Sequence, residues 1–156
     1  MDLSFKEKST WISLITTLGI FTYYFYNMVL LKNIPVETAQ SMAIILLIKA
    51  VVMTVIVEAT LQGILAMSNH KAAMLGADER EQLFSYKANG LGYKVLVVGV
   101  MFTLAHLLLA ELKPAWSMHD SMLTIPLLSA HILMLAFILS EIVRFTSQLF
   151  YYRSEH

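Results

Sequence analysis

Residues 11–31, WISLITTLGIFTYYFYNMVLL, carry no charged side chain over 21 positions. Roughly 20 apolar residues in a helix cross the ~30 Å hydrocarbon core of a bilayer. Inside that core each backbone N–H and C=O must be satisfied within its own element, so a run of this kind reads as a spanning helix. The pattern recurs three times. Residues 39–67 are interrupted only by Lys49 and Glu58, residues 91–112 by Lys94, His106 and Glu111, and residues 122–140 by His131 alone. The expectation is an all-α, four-helix transmembrane bundle forming one membrane domain over residues 1–156. Its helices lie at about 11–31, 39–67, 91–112 and 122–150, and its connections are too short for a second core. Composition agrees: 58% of residues are hydrophobic and 14% charged, where a soluble domain has about half and a quarter.

Several function classes drop out early. The chain has no cysteine, which removes disulfides, thiolate metal sites and thiol nucleophiles. Its formal net charge is zero and it has no Lys/Arg-rich block, so nucleic acid is not an expected partner. The first apolar run is too long for a signal-peptide core and is read as a retained helix. The flanking cations set an orientation. Lys6, Lys8, Lys71, Arg80, Lys87, Lys94, Arg144 and Arg153 fall on one side and only Lys32 and Lys113 on the other. Both termini and the middle segment are therefore expected in the cytoplasm. Trp11, Tyr93, Tyr151 and Tyr152 would mark the inner interface and Trp116 the outer one.

The two halves resemble each other. LGIFT (18–22) is echoed by VGVMFT (98–103), and Glu58 and Glu141 fall near the same end of the second and fourth runs. A tandem two-helix repeat, related by an axis along the membrane normal, would produce this pattern, and so would shared composition. Between the halves, residues 77–89 form a charged segment. Asp78 can cap a helix that Glu81 closes from three residues on, and Glu79 also lies in the first turn, where the helix dipole favours acids. Leu83 with Tyr86 or Lys87 would give this short helix an amphipathic side. Asn89-Gly90 and Gly92 permit a bend before the third span.

ADEREQLFSYKANGLGYKVLVVGV, followed by SEIVRFTSQLFYYR, resembles a group of small four-helix bacterial inner-membrane proteins of unknown function. The resemblance covers residues 77–153 and rests on Asp78, Glu79, Arg80, Glu81, Tyr93, Glu141, Arg144, Tyr152 and Arg153. It implies a multi-pass protein of the bacterial inner membrane and carries no chemistry.

The candidate functional groups are the few polar residues inside the apolar runs. Lys49 and Glu58 are nine positions apart, on opposite sides of one helix, so they cannot pair with each other. Placing Glu58 at the inner headgroups draws Lys49 toward the midplane, and the opposite slide buries Glu58; each then needs a partner elsewhere, unless both snorkel. His106 and His131 fall at similar depth on neighbouring antiparallel helices. They could relay protons or ligate haem, or each could simply bond a backbone carbonyl or hydroxyl. His119 and Asp120 add donors in a loop. Glu141 and Arg144, at i and i+3, read as an interfacial anchor pair. FTYYFYN (21–27) spreads three tyrosines over different faces, which suits packing with bonded hydroxyls and also an aromatic pocket.

No nucleophile–base arrangement, phosphate loop or metal-ligand cluster is visible, so an enzyme is not expected and no cofactor or metal is assigned. The leading expectation is a non-enzymatic membrane protein. It would assemble in the bilayer as a homo-oligomer or with a membrane-protein partner, and present Asp78–Glu81 to the cytoplasm. The competing one is a small proton-coupled transporter or channel acting as an oligomer. There Glu58 would bind the proton, and Lys49, His106 and His131 would line the route. A bis-histidine haem protein is a third.

Overall fold

Ser4 starts the chain's first helix: its hydroxyl accepts the Glu7 N–H at 3.1 Å, satisfying one of the donors a helix leaves free at its beginning. In the computed structural model, which describes residues 3–31, 34–112 and 127–154, helix α1 then runs Phe5–Leu30. Pro35 introduces α2, Val36–Ser68, with fixed φ and no N–H to leave unsatisfied. The short α3, His70–Leu75, ends at Gly76, whose φ of 72° lies in the left-handed region open to glycine. Helices α4, Glu79–Leu112, and α5, Leu128–Ser154, complete the order. Among the described residues there is no strand. The four long helices are long and apolar enough to cross a membrane. Lys32, Lys113, Trp116, His119, Asp120 and Met122 lie outside the described residues.

The helices are longer than the apolar runs, because a helix can continue past the membrane edge while its hydrogen bonds continue. The largest difference is in α4. The sequence suggests a bend at Asn89-Gly90 and Gly92 between a short cytoplasmic helix and the third span. Instead one uninterrupted helix of 34 residues runs through them. Gly92 and Gly99 have another use. A Cβ on Gly92 would lie 3.0 Å from the Ser140 carbonyl oxygen, and one on Gly99 would lie 2.2 Å from the Ala136 Cβ. Both glycines let α4 lie close against α5, the small-residue solution to helix packing in lipid. The buried face of this stretch is correspondingly Phe84, Ala88, Gly92 and Thr103, spaced for one side of a helix. Leu83 and Tyr86, the expected amphipathic side, are exposed at 47% and 78%. Phe84 displaces them because it meets Tyr152 edge-on and stacks beside Tyr151, both from the end of α5.

Packing runs in the order α2–α1–α5–α4, with α4 on α5, α1 on α2 and α1 on α5 as the extensive contacts. All three pairs are antiparallel. α1 and α5 are therefore central, and α2 and α4 flank them with most of their spanning length exposed. Small residues again allow the approach: Ala39, Ala43 and Ala50 of α2 are buried against Phe21, Tyr24 and Met28 of α1, with Ile138 of α5. A second cluster joins Leu14, Phe84, Phe145, Leu149 and Tyr152. It holds together the end at which the described chain both begins and finishes, where Arg153 also reaches within 3.8 Å of the buried Glu7.

Candidate functional site

Two i, i+4 polar pairs build the wall of a polar cleft. Ser9 and Ser13 face Glu58 and Gln62 across the α1–α2 seam. The Ser13 hydroxyl donates to Glu58 Oε1 at 2.5 Å, and the Ser9 hydroxyl donates to Gln62 Oε1 at 2.9 Å. The Gln62 amide returns bonds to the Ser9 carbonyl at 3.0 Å and the Ser13 hydroxyl at 3.2 Å. Four bonds between two neighbouring turns fix the register of α2 on α1. Register in turn fixes depth. Ser13 lies only two residues inside the charge-free run, so Glu58 sits about 3 Å within its edge. Lys49 is placed with its Nζ 5.8 Å from the centroid of the Tyr23 ring, about 3 Å from the centre of that run. Of the two slides open to α2, this one keeps Glu58 near the edge and leaves Lys49 deep.

Beyond this wall is a cleft of about 590 Å³ at the termini-bearing end, lined by all four long helices. α1 contributes Lys6, Ser9, Thr10 and Ser13, and α2 contributes Glu58 and Gln62. α4 adds Glu81, Gln82, Ser85 and Asn89, and α5 adds Arg144, Gln148 and Tyr152. Both charge signs are present, Lys6 and Arg144 against Glu58 and Glu81. Several of these groups are held by neighbours. Glu81 closes the capping box with Asp78: its N–H reaches Asp78 Oδ1 at 2.7 Å, and Asp78 N–H reaches Glu81 Oε2 at 3.4 Å. The other carboxylate oxygen of Glu81 accepts the Ser4 hydroxyl at 2.8 Å, clasping α4 to α1. Arg80 lies with its guanidinium carbon 5.7 Å from the Phe84 centroid, and Glu79 occupies the first turn of α4.

Glu141 and Arg144 do bond to each other, but Arg144 is a cleft wall as well as an anchor. Its guanidinium carbon lies 4.3 Å from the Phe145 centroid, a cation–π contact with a buried ring that also lines the cleft. Its Nε is buried with no hydrogen-bond partner among the described residues. The remaining candidates do not join the cleft. Lys49 opens on the other side of the α1–α2 pair, into an apolar groove. His131 Nδ1 is hydrogen-bonded to the hydroxyl of Tyr24, the most completely buried large side chain among the described residues. His106 Nδ1 is paired with Ser129 Oγ at 3.0 Å. The two imidazoles thus take separate partners in separate seams. Of the FTYYFYN tyrosines only Tyr24 is interior; Tyr23 and Tyr26 are exposed at 55% and 65%.

The cleft presents hydrogen-bond donors and acceptors together with charges of both signs. Comparison with family models, with curated proteins and with solved structures gives no match.

Proposed function

We propose that the chain is a non-enzymatic, multi-pass protein of the bacterial inner membrane that acts by assembly. Its cleft receives a polar segment of mixed charge from a partner protein or a second copy. Both termini and the cleft face the cytoplasm in this reading, supported by the eight-to-two division of flanking cations and by the resemblance over residues 77–153. The observation that carries it is the cleft itself: four helices contribute polar side chains to one cavity at the end bearing Asp78–Glu81.

Native mass spectrometry after gentle extraction tests the proposal. Masses above that of one 17.6 kDa chain are expected, and they should disappear when Ser85→Trp and Asn89→Trp fill the cleft while helicity is retained. A monomer, or an assembly indifferent to the filled cleft, would refute it. The cysteine-free chain makes the orientation separately testable: Ser85→Cys should be shielded from an impermeant maleimide in intact cells, and Ile34→Cys labelled.

The transporter reading retains one favourable observation, a carboxylate in a polar cleft near the edge of the apolar run. Against a single route, Lys49 opens elsewhere and each histidine is bonded in its own seam. In that reading the chain carries proton flux in proteoliposomes and Glu58→Gln abolishes it; in the assembly reading the unaltered chain carries no flux.

A further inference from the structure

Lys49 is an exposed ammonium near the centre of the apolar span. Among the described residues no carboxylate is within ion-pair reach of it; its ammonium lies over the face of the Tyr23 ring. Intramembrane charges of this kind are costly and belong to sites with partners. Snorkelling does not relieve the cost. From about 3 Å beyond the centre, the outer edge of a ~30 Å core is about 12 Å away, and a lysine stem reaches only about 6 Å.

The surroundings of Lys49 have the shape of a seat for a helix. The groove on this outer side of α1 and α2 has a volume of about 540 Å³ and runs from Leu46 and Tyr23 at one end to Leu61 and Ile15 at the other. Fifteen residues of α2 separate its ends, about 22 Å or four helical turns. Its floor includes Gly19, where an added Cβ would meet nothing within 4 Å, so a neighbouring backbone can come close.

We infer that this groove is the docking surface for a transmembrane helix of another protein, one carrying an aspartate or glutamate near the middle of its span. Two alternative occupants fail on charge. A second copy related by an axis along the membrane normal keeps every residue at its own depth. At the depth of Lys49 the described chain has no acid to offer: Glu58 is about 13 Å away along α2 and Glu37 about 18 Å the other way. Glu141 shares the cleft region, and Glu111 lies in the last turn of α4. A lipid carries its anionic group at the surface, beyond the lysine's reach. The inference rests on the membrane placement of the four helices and is independent of what fills the cleft, which lies on the other side of the α1–α2 pair.

Photo-crosslinking in native membranes tests it, with the reactive residue at Met53 or Val57 in the groove and at Phe102 on α4 as control. The expected product at the groove positions is a polypeptide cross-linked through a span with a mid-membrane Asp or Glu. Lys49→Met should reduce its yield roughly tenfold and Lys49→Arg should preserve it. Cross-links only to lipid or to a second copy, a partner span without an acid, or a yield unchanged by Lys49→Met would overturn the inference. Labelling of a cysteine at Met53 by a water-soluble maleimide would instead overturn the membrane placement, and so separates the two failures.

Discussion

Gly99 gives the sharpest test of the packing. Its would-be Cβ lies 2.2 Å from the Ala136 Cβ and 3.2 Å from the Ala136 Cα. Neither atom can rotate away, so relief requires α4 to move off α5. Ordinary contact begins at 3.4 Å, and the pair must separate by 1.2 Å to reach it. A radial gap of 0.5–1 Å already forfeits about a quarter to a half of each dispersion well along the seam, and overpacking of this kind costs about 1–3 kcal/mol. Gly90 lies on the same helix with open space around its Cβ position. Alanine there brings only the intrinsic gain over glycine, about 0.8–1 kcal/mol in a water-exposed helix. The same substitution at two positions of one helix should therefore differ by about 1–3 kcal/mol, with Gly99→Ala the less stable. Reversible unfolding in mixed micelles, followed by far-ultraviolet circular dichroism, measures the difference. Adding Ala136→Gly to Gly99→Ala removes the closest contact and should recover part of the loss, appearing as a coupling of about 0.5–3 kcal/mol in a double-mutant cycle. Equal stability of Gly99→Ala and Gly90→Ala would refute the close approach of α4 and α5.

Tyr24→Phe removes the hydroxyl bonded to His131 and should cost about 1–3 kcal/mol by the same assay; Tyr23→Phe and Tyr26→Phe, on the exposed surface, should stay within about 0.5 kcal/mol. Asp78→Ala opens the capping box and should lower stability by about 1 kcal/mol, with faster hydrogen exchange confined to the first turns of α4. Gln62→Leu deletes three of the four bonds that set α2 on α1. It should be more disruptive than Thr60→Leu two residues away, whose hydroxyl bonds only its own helix, and a cysteine cross-link between positions 9 and 62 would report the lost register as reduced yield.

The four spans were legible because charge is absent where lipid forbids it, a signal that survives without any knowledge of packing. The Asp78–Glu81 cap was legible too, since a capping box is local. Depth along α2 was not. Lys49 and Glu58 allowed two slides, and the choice between them is made by Ser9 and Ser13 on another helix. The matching i, i+4 spacing of Ser9/Ser13 and Glu58/Gln62 was the available clue. Gly92 misled in the other direction. In a soluble chain a glycine after Asn89-Gly90 marks a turn, but in lipid an opened backbone has no water to bond, so here glycine marks contact instead. The cleft could not be read at all, because its residues extend from Lys6 to Tyr152 and acquire meaning only when four helices meet. Buried Glu7 is silent in the sequence for the same reason: Arg153, which reaches it, lies far along the chain on α5.

The order α2–α1–α5–α4 also sets a schedule. Helix α1 is completed against α5, so its inward face stands open while roughly a hundred further residues are synthesised, about 5–20 s at ordinary translation rates. That face carries Tyr24, whose hydroxyl bonds His131 of α5, and Leu14, which packs in one cluster with Phe145 and Leu149 of α5. During the interval α2, already clipped to Ser9 and Ser13, is the one available shield. The α1–α2 hairpin thus waits half-finished, and the arrival of α5 is the event that joins two hairpins into one bundle.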